Sequence, residues 1–335
     1  MEGFLKKDQR ILIAGANGMV GSAIKRELIK KGYGKGIYSK DLFIPNKDEL
    51  DYSNYLSVNR WFNIYKPNVV IVAAAKVGGI NANNKYPADF LLNNLKIQTN
   101  IIENAWKHKV QKLLFLGSSC IYPKLSEQPI KEEFLLKSDL EPTNEWYAIA
   151  KICGLKLCES LKKQYNFNAI SLMPTNLYGT NDNYNLDSSH VFPALIRKFF
   201  EAKIQNLKHV SCWGDGTALR EFLHVEDLAK ACIIALDKWD LDGVDAPKDD
   251  NNEKLYWLNV GSGEEISIKK LAEKIADRIN YKGDIIWDKS YPNGTPRKIL
   301  DSSRFTKLGW NPEINIDQGI DKTIKSFKKE FLITK

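Results

Sequence analysis

Ile11-Leu12-Ile13-Ala14, followed by Gly15-Ala16-Asn17-Gly18-Met19-Val20-Gly21, is the stretch that decides the fold. Four apolar residues read as a short buried strand, the glycines as a tight turn, and the residues up to Lys31 as a helix. Gly-x-x-Gly-x-x-Gly between a strand and a helix brings backbone close to a pyrophosphate. The N–H groups and positive dipole end of the helix then face the anion. Gly15, Asn17, Gly18, Met19, Val20 and Gly21 are the residues this assigns to a dinucleotide.

Outward from that turn, apolar runs recur at residues 42–44, 69–75, 113–116 and 169–173, with helical periodicity over 89–107 and 147–165. Uniformly apolar strands alternating with helices predict an α/β fold with a Rossmann-type doubly wound parallel sheet. The dinucleotide-binding domain is expected over residues 1–180, with a return segment near 221–238. Residues 181–335 should form mainly a smaller C-terminal substrate lobe. In that lobe, strands are expected at 255–259 and 285–287, with a helix at 267–279 between them. The polar stretch 237–254 reads as a surface insertion.

An acidic residue about 20 positions past the glycines favours NAD by binding a ribose hydroxyl. Asp41 has that spacing but also stands where the second strand begins. If that strand is 42–44, Lys47 follows its end and can meet the 2′-phosphate of NADP. Both registers stay open on spacing alone.

Ser118 follows the strand at 113–116, and Tyr147 and Lys151 lie one helical turn apart downstream. Reducing a ketone requires a proton for the developing alkoxide. Tyr147 is the candidate donor and Ser118 a second hydrogen-bond partner for the carbonyl oxygen. Lys151, on the same helix face, is expected to lower the tyrosine pKa and hold the nicotinamide ribose. Tyr-x-x-x-Lys arises easily in any lysine-rich helix. Its weight here comes from the order of glycine turn, serine after a strand, then tyrosine and lysine opening a helix.

Cys120 and His190 are candidates for a second task. A ketone acidifies its neighbouring carbons, and inversion there needs a base on one face and an acid on the other; a thiol and an imidazole suit this. Taken singly, each is more often structural. His108 and His209 have weaker claims, and His224 reads as a backbone-orienting residue.

The chain carries a formal charge of +8, with 41 Lys and only 8 Arg against 41 acidic residues. The lysines are scattered among the acids, which describes a solvated surface attractive to an anionic small substrate; no nucleic-acid partner is expected. No apolar run nears the roughly 18 residues of a membrane span. The polar opening segment lacks the apolar region of a secretory signal. The five cysteines form no Cys-x-x-Cys pair, and no metal site is expected. A cytoplasmic location follows as the expectation.

Several longer runs carry a resemblance: Ala73 to Ile80, Gly117 to Pro123, Glu141 to Glu145, Met173 to Gly179, Arg220 to Val225 and Gly294 to Lys298. Together they resemble the GDP-L-fucose synthase family of extended short-chain dehydrogenases, the GDP-4-keto-6-deoxy-D-mannose 3,5-epimerase/4-reductases, over nearly the whole chain. The resemblance implies a homodimer that uses NADP(H), with NAD(H) not excluded, on a GDP-sugar. It gives the reductase roles to Ser118, Tyr147 and Lys151, and the epimerase roles to Cys120 and His190. The same motifs place Ala74, Ala75, Leu116, Gly117, Pro174, Asn176 and Leu177 at the cofactor. They place Asn176, His190, Lys198, Trp213, Arg220 and Lys298 at the substrate. The chain departs from the pattern at Asn17, Pro45 and Asn46, where basic residues commonly serve the 2′-phosphate. It also departs at Lys198, where arginine is common. A related alternative is C4 reduction of a GDP-4-keto-heptose with little epimerisation.

Overall fold

The computed structural model describes residues 3–291 and 293–333. The opening stretch forms β1 (Ile11–Ala14) and α1 (Met19–Lys30). Next come β2 (Leu42–Phe43), α2 (Tyr55–Tyr65), β3 (Val69–Val72), α3 (Ile80–Lys85), α4 (Pro87–Lys107), β4 (Lys112–Leu116), α5 (Glu145–Tyr165) and β5 (Ala169–Pro174). The chain continues through β6 (Asn176–Tyr178), α6 (Val191–Ile204), β7 (His209–Trp213), β8 (Leu219–His224), α7 (Val225–Lys238) and β9 (Trp257–Val260). It closes with β10 (Glu265–Ser267), α8 (Ile268–Ile279), β11 (Asp284–Asp288), β12 (Arg297–Lys298), α9 (Ser303–Thr306) and α10 (Ile316–Ile333).

Six strands form one sheet in the order β2-β1-β3-β4-β5-β9, every pair parallel. Successive side chains of a strand point to opposite faces, so each strand feeds two cores. Ile11, Ile13, Val69 and Ile71 pack with Ile24 of α1 and Leu228 of α7. Leu12, Ala14, Val70 and Val72 pack with Phe62 of α2, Ile101 of α4 and Leu155 of α5. Covered on both faces, these strands can be apolar throughout, which is why they read as uniform runs.

The second lobe has a sheet ordered β10-β8-β12, with β6 paired to β8, and a two-stranded ribbon of β7 and β11. Phe192, Ile196, Phe199, Leu271, Ile275 and Ile324 lie in its core.

Three expectations change. The strand expected at 255–259 in the smaller lobe is β9, the sixth strand of the main sheet, with Trp257 opposite Ser171 and Val260 opposite Pro174. All four of its residues are buried, which suits a strand covered on both faces. The return to the first lobe begins at Val225, where α7 packs on α1. Residues 221–224 stay with β8 in the second sheet. The stretch 237–254 is only partly a surface insertion, because Trp239 and Leu241 are buried in the first core. Lys112, buried on β4, donates to the carbonyls of Leu236 (2.9 Å) and Trp239 (2.6 Å), closing the C-terminal end of α7.

Candidate active site

β1 has β2 on one side and β3 on the other, so strand order reverses between β1 and β3. A crevice opens at such a switch point, outside the strands' carboxyl ends. Gly15, with φ +86°, sits there, and a Cβ on it would lie 2.7 Å from the Ala74 Cα. A Cβ on Gly21 would lie 2.1 Å from the Gly15 carbonyl oxygen. Gly18 opens α1 with extended backbone, no side chain caps the helix, and its first turn holds no acid. Its leading N–H groups therefore remain available to a phosphate. This glycine cradle fits a dinucleotide pyrophosphate. Ala74 and Ala75 follow β3, and Leu116 and Gly117 stand at the end of β4 and just past it. Pro174 ends β5, and Asn176 and Leu177 begin β6.

The two registers for the ribose contact separate cleanly. Asp41 precedes β2 and its carbonyl accepts from Ile11 N, so it stands at the opposite end of the strands from Gly15. Lys47 is exposed in the turn after β2. That turn is fixed by Asn46 Oδ1, which accepts from the backbone N–H of Asp48 and of Glu49.

Ser118 caps a short 3₁₀ turn, its Oγ accepting from Cys120 N at 3.3 Å. A second 3₁₀ turn, Pro142–Asn144, leads into α5, so Tyr147 lies in the helix's first turn. Lys151, one turn on, donates to the Leu116 carbonyl at 2.8 Å, and its Nζ is 5.7 Å from the Tyr147 ring centre. α5 thereby locks onto the end of β4. Burial pushes the phenol well above its usual range, and the Cys120 thiol adds to the rise. The Lys151 ammonium is itself pushed down to about 8 by burial.

Burial raises the Cys120 thiol, opposed first by the Lys298 ammonium, then by Ser118 and Lys151. The cysteine is thus gathered with both lysines and the serine. His190 precedes α6 and is exposed to solvent, yet surrounding protein holds its imidazole below the usual range, as for a ring lining a cleft. Its loop is pinned at Ser188, whose carbonyl accepts from Gly79 N at 2.8 Å. A Cβ on Gly79 would lie 2.4 Å from the Ser189 carbonyl oxygen, so close approach of the two segments requires glycine. Gly78 packs against Phe90, which meets Tyr147 edge-on at 6.4 Å. Among the described residues no hydrogen bond joins Cys120 to His190.

Lys298 lies on β12 opposite Arg220 of β8, both held among protein that lowers their pKa values. Lys198 donates to the Ser211 carbonyl, and its Nζ lies 5.3 Å from the Trp213 ring centre. Asn176 Nδ2 donates to the Glu221 carbonyl at 2.8 Å. His224 behaves as its sequence context suggested, its Nδ1 accepting from Glu226 N at the start of α7.

Three residues were missed by sequence reasoning. Glu141 accepts from Lys124 at 3.1 Å and faces Arg220 and Lys298. Glu221 is fully buried and accepts from Gly263 N (2.8 Å) and Leu300 N (3.0 Å). Asn181 Nδ2 donates to the Asn17 carbonyl at 2.8 Å, tying the loop that carries His190 to the glycine turn. An acid between Arg220 and the apolar Phe222-Leu223 pair was the available signal for Glu221; Asn181 offered none.

A switch-point glycine cradle, a serine past β4, and a tyrosine and lysine opening α5 define an extended short-chain dehydrogenase/reductase. The chain belongs to the NAD dependent epimerase/dehydratase family, whose model matches residues 11–245, and within it to the GDP-L-fucose synthase family. It is 50% identical over 319 residues to a putative GDP-L-fucose synthase of Arabidopsis thaliana, covering 95% of this chain and 92% of that one. It is 48% identical over 323 residues to the GDP-L-fucose synthase of Escherichia coli K12, covering 95% and 96%. Among solved structures, a GDP-mannoheptose C4 reductase from Campylobacter jejuni with NADP bound superposes with a TM-score of 0.83 at 33% identity, covering 97% and 99%.

Proposed function

We propose that the protein reduces the C4 ketone of a GDP-4-keto-6-deoxy-sugar using NADPH, after epimerising the carbons on either side of that ketone. The observation that carries this reading is the gathering of Ser118, Cys120, Lys151 and Lys298 beside Tyr147, in a chain about half identical to GDP-L-fucose synthases.

Gly15, Gly18 and Gly21, with Asn17, Met19 and Val20, would hold the pyrophosphate, and Lys47 the 2′-phosphate. Ala74, Ala75, Leu116, Gly117, Pro174, Asn176 and Leu177 would line the rest of the crevice. Bound there, the nicotinamide would supply the hydride for the ketone carbon. Tyr147 then gives its proton to the developing alkoxide, with Ser118 donating to the same oxygen. Raised by burial, the phenol holds that proton in the resting protein. Lys151, fixed on the Leu116 carbonyl, supplies positive charge nearby.

Burial raises the Cys120 thiol, and the protein around the solvent-exposed His190 lowers its imidazole, so the pair rests as thiol and neutral imidazole. That pair holds the same number of protons as thiolate plus imidazolium, so one member accepts while the other donates across the sugar. Arg220, Lys298 and Lys198 would meet the diphosphate, with Trp213 near the base. The second lobe would thus carry the nucleotide-sugar.

Incubation with GDP-4-keto-6-deoxymannose in D₂O, with NADPH or NADH, tests it. Deuterium at C3 and C5 together with cofactor oxidation is the expected outcome, faster with NADPH. Reduction without exchange removes the epimerase half. No turnover removes the hexose and favours a GDP-4-keto-heptose, the reading supported by the 33% identical heptose reductase.

A further inference from the structure

Trp213 ends β7, and Tyr291 sits in the turn after β11. The two strands pair in parallel, with Trp213 opposite Asp288. The rings lie 4.3 Å apart at their centres and 3° from parallel. Trp213 is 43% exposed and Tyr291 41%, so a face-to-face aromatic pair stands open to solvent.

Backbone clasps make the pair a pre-formed feature. Gly214 N donates to the Asp288 carbonyl at 2.8 Å, and Asp215 N to Asn293 Oδ1 at 3.0 Å. Asp288 Oδ1 also accepts from Ser290 N and Ser290 Oγ. A Cβ on Gly214, where φ is +78°, would lie 2.2 Å from Asn293 Oδ1, so this close approach needs glycine. Both sides of the Tyr291 turn are therefore tied to the residues just after Trp213. The clasp fixes the backbone on either side of Tyr291 relative to Trp213.

Charge gives the stack a direction. Lys198 Nζ stands by the Trp213 ring, and among the described residues no lysine or arginine stands over Tyr291. Arg220 Nη2 donates to the Asn293 carbonyl at 3.2 Å, at the far end of the same turn. The stack thus has Lys198 beside its Trp213 ring and Arg220 bonded to the backbone two residues past Tyr291, cations suited to a diphosphate. This is the arrangement a flat base on an anionic tether requires.

We propose that Tyr291 is a base-stacking residue, whose outer ring face receives the purine of the nucleotide-sugar while Trp213 backs it from behind. The proposal rests on the nucleotide-sugar reading above and specifies which ring meets the base. Removing a stacking ring typically weakens binding about 5- to 100-fold per base.

The test is calorimetric titration of the full-length protein with GDP alone. Tyr291→Ala should bind GDP at least about 5-fold more weakly, Tyr291→Phe within about two-fold of wild type. Both should bind NADPH as the wild type does, and CDP, with its smaller base, should lose less than GDP. Undiminished GDP binding by Tyr291→Ala overturns the proposal, and tighter binding would mean that Tyr291 merely covers Trp213. Wild-type protein that binds NADPH but no GDP would instead overturn the nucleotide-sugar reading on which the proposal rests.

Discussion

Burial moves the protons of Tyr147 and Lys151 in opposite directions, up for the phenol and down to about 8 for the ammonium. A donor that holds its proton this firmly gives it up only as negative charge grows on the substrate oxygen. Tyr147→Phe should therefore lower ketone reduction by roughly 10²- to 10⁴-fold with GDP affinity unchanged, measured by NADPH oxidation and titration. Cys120 is raised by burial and held in check chiefly by Lys298. Its thiolate fraction grows with pH, so iodoacetamide labelling of its peptide should still be accelerating at pH 9. Lys298→Met should slow that labelling several-fold up to about pH 9; a plateau below pH 8 would contradict the assignment. These residues were legible because the glycine turn, serine, tyrosine and lysine each stand beside a strand or helix end, a local pattern. The opposing pKa shifts were not legible, since they depend on what packs around each group.

Single side chains also decide how whole elements are anchored. His224 Nδ1 accepts from the second N–H of α7, and burial holds its imidazole at about 4 against an ordinary 6.5. A folded-state pKa below the unfolded one means that the unfolded chain binds the extra proton. This contribution to stability is complete above pH 6.5 and is lost as pH falls toward 4, on the order of 3 kcal/mol. His224→Asn keeps a capping oxygen without that titration and should flatten the acid limb of a urea-unfolding series. On β8, the Glu221 carboxylate ties down Gly263 and Leu300, two residues past Lys298. Glu221→Gln puts an amide N–H where an acceptor is required. It should cost about 1–3 kcal/mol in thermal unfolding and raise the KM for the nucleotide-sugar more than that for NADPH. Strand lengths explain what sequence patterns could not supply here. β6 and β12 have three and two residues, too few for any periodicity. β9 read correctly as a strand, but an apolar run does not say which sheet will receive it.

At the scale of the molecule, segments far apart in the chain are tied to one another around the candidate site. Asn181 reaches back to the glycine turn, Gly79 packs on the His190 loop, and Thr295 Oγ1 donates to Glu141 at 3.4 Å. Around this body spreads a formal charge of +8, carried mostly by lysine. The field should hasten the encounter with an anionic diphosphate, so kcat/KM should fall with added salt while kcat at saturation changes little. Steady-state kinetics from about 0.01 to 0.3 M salt would check this, and a flat kcat/KM would assign the lysines to solubility alone.

The position of β9 has a consequence for how the chain is made. β5 is complete at Pro174, but the strand that covers its outer edge is not reached until Trp257. As the polypeptide leaves the ribosome, an apolar strand with unpaired backbone groups must wait through synthesis of β6, α6, β7, β8 and α7. Nascent chains stalled between those points are the ones chaperones should hold most firmly, and release should coincide with emergence of Val260.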